Sequence, residues 1–217
     1  FHFSNFTRDT APAPSGSSSS APVVAALIPS EVGGVVGHWD FSDTSKVTDS
    51  GGRVSAVAPV MGSAPNGTLV QADSAKMPWV SALGGRRAIK VNRTASECIQ
   101  APDIGTTPVS SGWSLVLVTA INQAVEGQYL YSSISGTTNP ASITVNSKLA
   151  LRPNSGGGSK GYTAKTVDGG LKLYTPSVVV MTVTSSAVEV WVDGVKSPEA
   201  PTMTGATAGL AGKASIG

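Results

Sequence analysis

From Val35 onward the chain is a succession of short apolar runs separated by turn residues. Side chains on a strand point alternately to opposite faces, so a period of two marks a half-buried β-strand. Val35 to Phe41 reads as a first strand. Arg53 to Ala58 reads as a second, with Val54, Ala56 and Ala58 on one face. Ala88-Ile89-Lys90-Val91 alternates apolar and polar. Trp113 to Ile121 is denser and predicts a strand buried on both faces. Tyr129 to Ile134, Ser142 to Val145, Lys148 to Leu151 and Leu171 to Tyr174 are further strand-length runs. Val178 to Val183 and Ala187 to Val192 form the clearest hairpin, in which Val188, Val190 and Val192 alternate with Glu189, Trp191 and Asp193.

The punctuation agrees with this division. Asp43, the cluster Asp49-Ser50-Gly51-Gly52, Asn66-Gly67 and Asp193-Gly194 are turn signals, because Asp and Ser bond nearby backbone amides and Gly accepts positive φ. Asn154-Ser155-Gly156-Gly157-Gly158-Ser159 predicts a mobile loop. No segment carries a sustained helical stripe. The expected fold is an all-β, antiparallel β-sandwich or jelly roll over residues 35–217, with Trp39, Leu115, Leu117, Val179 and Val190 in its core.

The first 34 residues are different. Residues 1–22 are an arm poor in core-forming residues, with Ala11-Pro12-Ala13-Pro14 and Ser17-Ser18-Ser19-Ser20. A tract of this kind cannot bury enough apolar surface to offset its chain entropy. Its large apolar side chains alternate at Phe1, Phe3 and Phe6, as in a strand added to another chain's sheet. An extended, partner-binding arm is therefore expected. Residues 23–34 are a bridging segment with Pro29 and Gly33-Gly34. The apolar run Ala21 to Pro29 follows a Ser tract and lacks a basic region just before it, so it does not read as a signal peptide.

Composition narrows the class. Charged residues are 13% of the 217, against 25 Gly and 14 Pro, which suits a turn-rich β protein with a Ser/Thr/Asn surface. Net charge is +2 and Arg86-Arg87 is the one adjacent basic pair, so no basic face for nucleic acid is expected. One cysteine, Cys98, excludes an intrachain disulfide framework and a cysteine-cluster zinc site. No stretch of apolar residues is long enough for a membrane helix, and no membrane insertion is expected.

The order of signals resembles the concanavalin A-like, laminin-G-like jelly-roll domains of bacteriophage virion and bacterial surface proteins. The residues that carry the resemblance are Gly37-His38-Trp39-Asp40-Phe41-Ser42-Asp43, Gly52-Arg53-Val54, Met77-Pro78, Gly85-Arg86-Arg87-Ala88-Ile89-Lys90-Val91, Trp113 to Ala120, Val190-Trp191-Val192-Asp193-Gly194 and Ser215-Ile216-Gly217. It spans roughly residues 35–217. Pro59-Val60-Met61-Gly62-Ser63 stands where the family carries an acidic-x-Ser-Gly-x-Gly stretch. The family also continues for one more strand after Ser-Ile-Gly, so the sandwich is expected to be incomplete at its C-terminus, with an open sheet edge.

Catalytic chemistry finds little support. A glycan hydrolase needs two carboxylates across the scissile bond. Glu189 and Asp193 are the best local pair, yet Asp193 precedes Gly194 and is better explained by the turn. His2 and His38 are the two histidines; His2 lies in the arm and His38 in an apolar strand. No enzyme activity and no cofactor are expected. Asp40, Asp43 and Asp49 are close enough in sequence to suggest calcium, but one strand and its turn explain them equally well. Cys98 reads as a small buried hydrophobe. Glycan binding needs exposed aromatic side chains, and Trp79, Tyr129, Tyr131, Tyr162 and Trp191 are the candidates, with Trp79, Tyr162 and Trp191 foremost. The resulting expectation is a non-enzymatic virion structural protein (a head decoration, fibre or tail component), anchored by its arm to other virion proteins, homo-oligomeric, and displaying its sandwich for surface or glycan attachment. The alternative is a secreted bacterial lectin or carbohydrate-binding module.

Overall fold

The structure is a computed structural model that describes residues 37–61, 67–101, 113–135, 138–155, 162–163, 170–183, 188–198 and 213–217. Phe1, Phe3 and Phe6, and the arm and bridging segment generally, lie outside the described residues. The described residues are almost entirely β. Two short 3-10 turns, Ser74–Lys76 and Arg93–Ala95, occur among them, and no α-helix does.

The strands are β1 (Val47–Ser50), β2 (Arg53–Val57), β3 (Leu69–Val70), β4 (Trp79–Leu83), β5 (Arg86–Lys90), β6 (Ile99–Ala101), β7 (Trp113–Thr119), β8 (Gln128–Ser135), β9 (Thr138–Val145), β10 (Leu151–Ser155), β11 (Tyr162–Thr163), β12 (Ser177–Val183), β13 (Val188–Val192), β14 (Val195–Lys196) and β15 (Lys213–Ile216). Two antiparallel sheets form a sandwich. The larger has the order β11-β10-β9-β8-β15-β6-β3-β2-β4-β5, with β1 also pairing β2. The smaller has the order β14-β13-β12-β7. Strand β2 is a branch point: Arg53 pairs with Trp79 of β4, and Ala56 and Val57 pair with β3.

One core joins the two sheets. Val54, Val57, Leu69, Ile99, Tyr131, Ile143, Val145 and Leu151 of the large sheet face Leu115, Leu117, Val179, Met181 and Val190 of the small one. Trp39, Leu115, Leu117, Val179 and Val190 are all buried, as their pattern predicts. Fully burying such a side chain contributes about 1.5–3 kcal/mol, so these positions hold the sheets together.

Several boundaries differ from the sequence expectation, each for a local reason. Residues 37–41 make an isolated bridge, His38 to Met61, rather than a strand. The Asp40 carboxylate accepts the Ser42 N–H at 2.8 Å and its hydroxyl at 2.7 Å, and Asp43 does the same for Ser45 at 3.0 and 2.7 Å. Two consecutive Asp-x-Ser turns thus bend the chain. In β2 the inward residues are Val54 and Val57, three apart, not Val54, Ala56 and Ala58. Thr48 lies opposite Ala56 while Asp49 lies opposite Val54, so Ser55 is an extra residue and the bulge shifts the phase. Strand β7 is buried on one face only: Leu115 and Leu117 point inward, while Val118 is exposed. Asn154 and Ser155 belong to β10 rather than to a loop. Leu171 to Tyr174 is not a strand, and Lys148 to Ala150 belongs to a turn built on the Asn146 side chain, which accepts the N–H groups of Lys148 and Ala150.

Gly51-Gly52, Gly84-Gly85 and Asp193-Gly194 each join two strands through a two-residue turn with both residues at positive φ. That geometry matches the twist of the strands it connects. Asp193, at φ +50, also accepts the Val178 N–H through its carboxylate at 2.8 Å, which ties the β13–β14 turn to the start of β12.

Candidate functional site

Strand β4 places Trp79 beside Val80. Val80 packs against the core, so alternation sends Trp79 to the outer face of the large sheet. There it is 43% exposed. Arg53 and Lys90 stand directly opposite it on the two neighbouring strands, β2 and β5. The Arg53 guanidinium lies 3.8 Å from the Trp79 ring centroid, a cation–π stack.

Arg53 is itself held from behind. Its Nη1 donates to the Met77 carbonyl at 2.5 Å and to Glu97 Oε1 at 2.7 Å. Glu97 is buried, 4% exposed, and its other oxygen accepts the Asn92 N–H at 2.8 Å. A carboxylate taken out of water needs such partners, and here both oxygens have one. Val54 N–H to Pro78 O and Val80 N–H to Gly52 O, at 2.8 and 2.7 Å, lock the β2–β4 backbone around the stack. The result is a half-exposed tryptophan with one ring face covered by a guanidinium that two acceptors hold in place. Such a surface suits a ligand that has an apolar face and polar edges.

The other aromatic candidates are not brought together with Trp79. Trp191 is on the small sheet. It alternates with Val190 and Val192, as read from the sequence, but β12 places Val180 directly across from it, so it is half-buried in an outward strip rather than open. Lys196 stands over its ring at 5.7 Å and pairs with Glu189. Tyr162 lies in the two-residue strand β11, at the edge of the large sheet, and its side chain falls outside the described residues. Tyr131 is core, so it is no platform. Tyr129 is exposed on the outer face. In a regular strand these two tyrosines would share a face. Tyr129 lies opposite Thr144 and Tyr131 opposite Ile143, so Leu130 is a bulge that sends them to opposite faces.

One further exposed aromatic carries no signal in the sequence. Tyr174 is 76% exposed and has φ +59. The left-handed region costs an ordinary side chain roughly 1–2 kcal/mol. Leu171-Lys172-Leu173-Tyr174 reads as an alternating strand, and no residue-type signal marks the φ reversal.

The residues weighed for catalysis and metal are dispersed. Glu189 pairs with Lys196, Asp193 caps the start of β12, Asp49 pairs with Arg87, and His38 is buried. Among the described residues no three His, Cys, Asp or Glu side chains lie together as a metal site. Cys98 is half-buried, and its sulfur accepts from the Gln71 and Gln100 amides at 3.4 and 3.7 Å. The Ser45 hydroxyl, above all, holds the Asp43 carboxyl below its ordinary 3.8, and Lys76 does the same for Asp73.

Comparison with protein-family models and with curated proteins finds no match. Among solved structures the chain is similar to domain 4 of AbnA, a GH43 extracellular arabinanase from Geobacillus stearothermophilus, in complex with arabinotriose. The two are 18% identical, with 84% of this chain and 91% of that chain covered and a TM-score of 0.42. A likeness of that degree assigns no residue a role.

Proposed function

We propose that this chain is a non-enzymatic attachment domain that holds a glycan against Trp79 and is carried on a virion surface by its N-terminal arm. The observation that supports the glycan reading is the braced indole. A sugar presents a C–H face that stacks on an aromatic ring and hydroxyls that meet polar neighbours, and Trp79 lies between Arg53 and Lys90. Pre-organisation matters because ordering a loose side chain on binding costs affinity. The non-enzymatic reading draws on the one carboxylate pair that the sequence offers for hydrolysis: Glu189 is held in an ion pair with Lys196 and Asp193 in the β13–β14 turn.

The test is calorimetric titration of the full chain with oligosaccharides of β-1,4-glucan, β-1,4-xylan and α-1,5-arabinan. Binding that Trp79→Ala weakens by about tenfold or more is the expected result. Equal affinity in wild type and Trp79→Ala would remove this site. The virion reading draws on the arm, whose alternating Phe1, Phe3 and Phe6 suit insertion into a neighbour's sheet. Deletion of residues 1–20 is expected to leave the sandwich folded and glycan binding intact while abolishing association into larger particles in sedimentation velocity. Unchanged sedimentation would favour a secreted carbohydrate-binding module.

A further inference from the structure

The segment 170–176 ahead of β12 holds a second aromatic whose position packing does not explain. Leu171 is buried and its N–H donates to the Leu149 carbonyl at 3.4 Å. Leu173 makes a parallel bridge to Ile121. The Tyr174 N–H donates to the Ile121 carbonyl at 2.7 Å, and the Thr175 N–H turns back to the Lys172 carbonyl at 3.4 Å. The backbone is therefore stitched at two places, and it carries Tyr174 out at φ +59 with 76% of its surface in solvent. Glycine or asparagine fits that backbone without strain. An aromatic ring is normally kept for the area it buries, and this one buries little. Strain retained at an exposed aromatic points to a role in recognition.

We infer that Tyr174 is a second carbohydrate-stacking contact, in the turn that leads into β12. The ligand class rests on the glycan reading proposed for this domain, but the site does not depend on Trp79. The surroundings favour a sugar over an apolar partner. Tyr174 and Leu173 are both exposed, Lys172 and Thr175 flank them in the same turn, and the Thr175 hydroxyl donates to the Leu173 carbonyl at 3.2 Å. One exposed ring, with an ammonium side chain two residues before it and a hydroxyl one residue after it in the chain, matches a C–H face with hydroxyl edges. It is too small for a lipid surface or a protein interface core, which call for a contiguous apolar patch.

The experiment titrates the full chain with the same three oligosaccharides, using wild type, Tyr174→Gly, Tyr174→Phe and Trp79→Ala, with thermal unfolding of each. The expected result is that Tyr174→Gly weakens binding by about tenfold, Tyr174→Phe stays within about threefold, and the melting temperature of Tyr174→Gly is equal to or above that of wild type. Loss of binding in Tyr174→Gly with Trp79→Ala unaffected would uphold this contact and remove the other. Loss in Trp79→Ala alone would overturn this inference and leave the Trp79 reading standing. Absence of binding in wild type overturns both. If Tyr174→Gly instead changes self-association by sedimentation while sugar affinity holds, the residue belongs to a protein interface and the inference fails.

Discussion

Glu97→Ala is the most informative single perturbation of this fold, because the buried carboxylate organises the ground beneath Trp79. It receives two donors, Arg53 Nη1 at 2.7 Å and the Asn92 N–H at 2.8 Å. A hydrogen bond to a charged group contributes about 1.5–3 kcal/mol, so two set an upper range of about 3–6 kcal/mol. The Arg53 side chain is 27% exposed, so water recovers part of its share when the carboxylate is gone. The expected loss for Glu97→Ala is about 2–4 kcal/mol, at the low side of what breaking a fully buried pair costs. Glu97→Gln keeps the shape but sets an amide N–H against one of the two donors, and about 1–2.5 kcal/mol is expected. The assay is urea unfolding at pH 7 with an unchanged m-value. Because Glu97 is buried, the loss on Glu97→Ala is expected to change little between low salt and 1 M salt, and a loss that vanishes at 1 M would contradict the assignment. A Glu97→Ala loss below about 1 kcal/mol would refute the reasoning outright. A double-mutant cycle with Arg53→Ala isolates the pair and is expected to give a coupling of about 1–3 kcal/mol.

Met181→Ala should cost about 2–5 kcal/mol in the same assay, since Met181 is fully buried between the sheets; a loss under about 1 kcal/mol would mean the core there collapses freely. Gly37→Ala should destabilise by about 1–3 kcal/mol, because a Cβ there would come within 2.9 Å of Cζ2 and Cζ3 of Trp39, a core residue whose indole N–H is bonded to the Gly67 carbonyl. A neutral Gly37→Ala would show that Trp39 can move aside. Tyr174→Gly should leave stability equal to or above that of wild type, since relief of the left-handed strain offsets the entropy that glycine adds to the unfolded chain; a lowered melting temperature would show that Tyr174 is structural. Asp43 and Asp73 titrate below the ordinary 3.8 in the folded chain, through the Ser45 and Lys76 hydrogen bonds respectively. Their stabilisation is thus fully present above that value and is lost as pH falls through the lowered values. Asp73→Asn is expected to make the acid limb of a pH–stability curve shallower, and an unchanged limb would count against this.

The sandwich itself was legible in the sequence because its cause is local. Strand alternation fixes which side chains share a face, and burial follows from apolarity, so Leu115, Leu117, Val179 and Val190 could be placed inward from pattern alone. Asp193-Gly194 named its own turn for the same reason. What the pattern misplaced depended on a partner strand. The bulges at Ser55 and Leu130 exist only in register with β1 and β9, so nothing in Arg53 to Ala58 or Tyr129 to Ile134 announces the change of phase. Val116 and Val118 gave β7 a doubly buried look, whereas the small sheet has no layer over that face among the described residues. The candidate site divides in the same way. That Trp79 is an aromatic beside a core valine was readable. That Arg53, 26 positions earlier, braces it and that Glu97 locks Arg53 was decided by the pairing of β2 with β4 and by the return of the chain before β6. Tyr174 is the extreme case: its residue type predicts a strand, while the tertiary bonds of its segment to Ile121 and Leu149 hold it in a conformation its own chemistry disfavours.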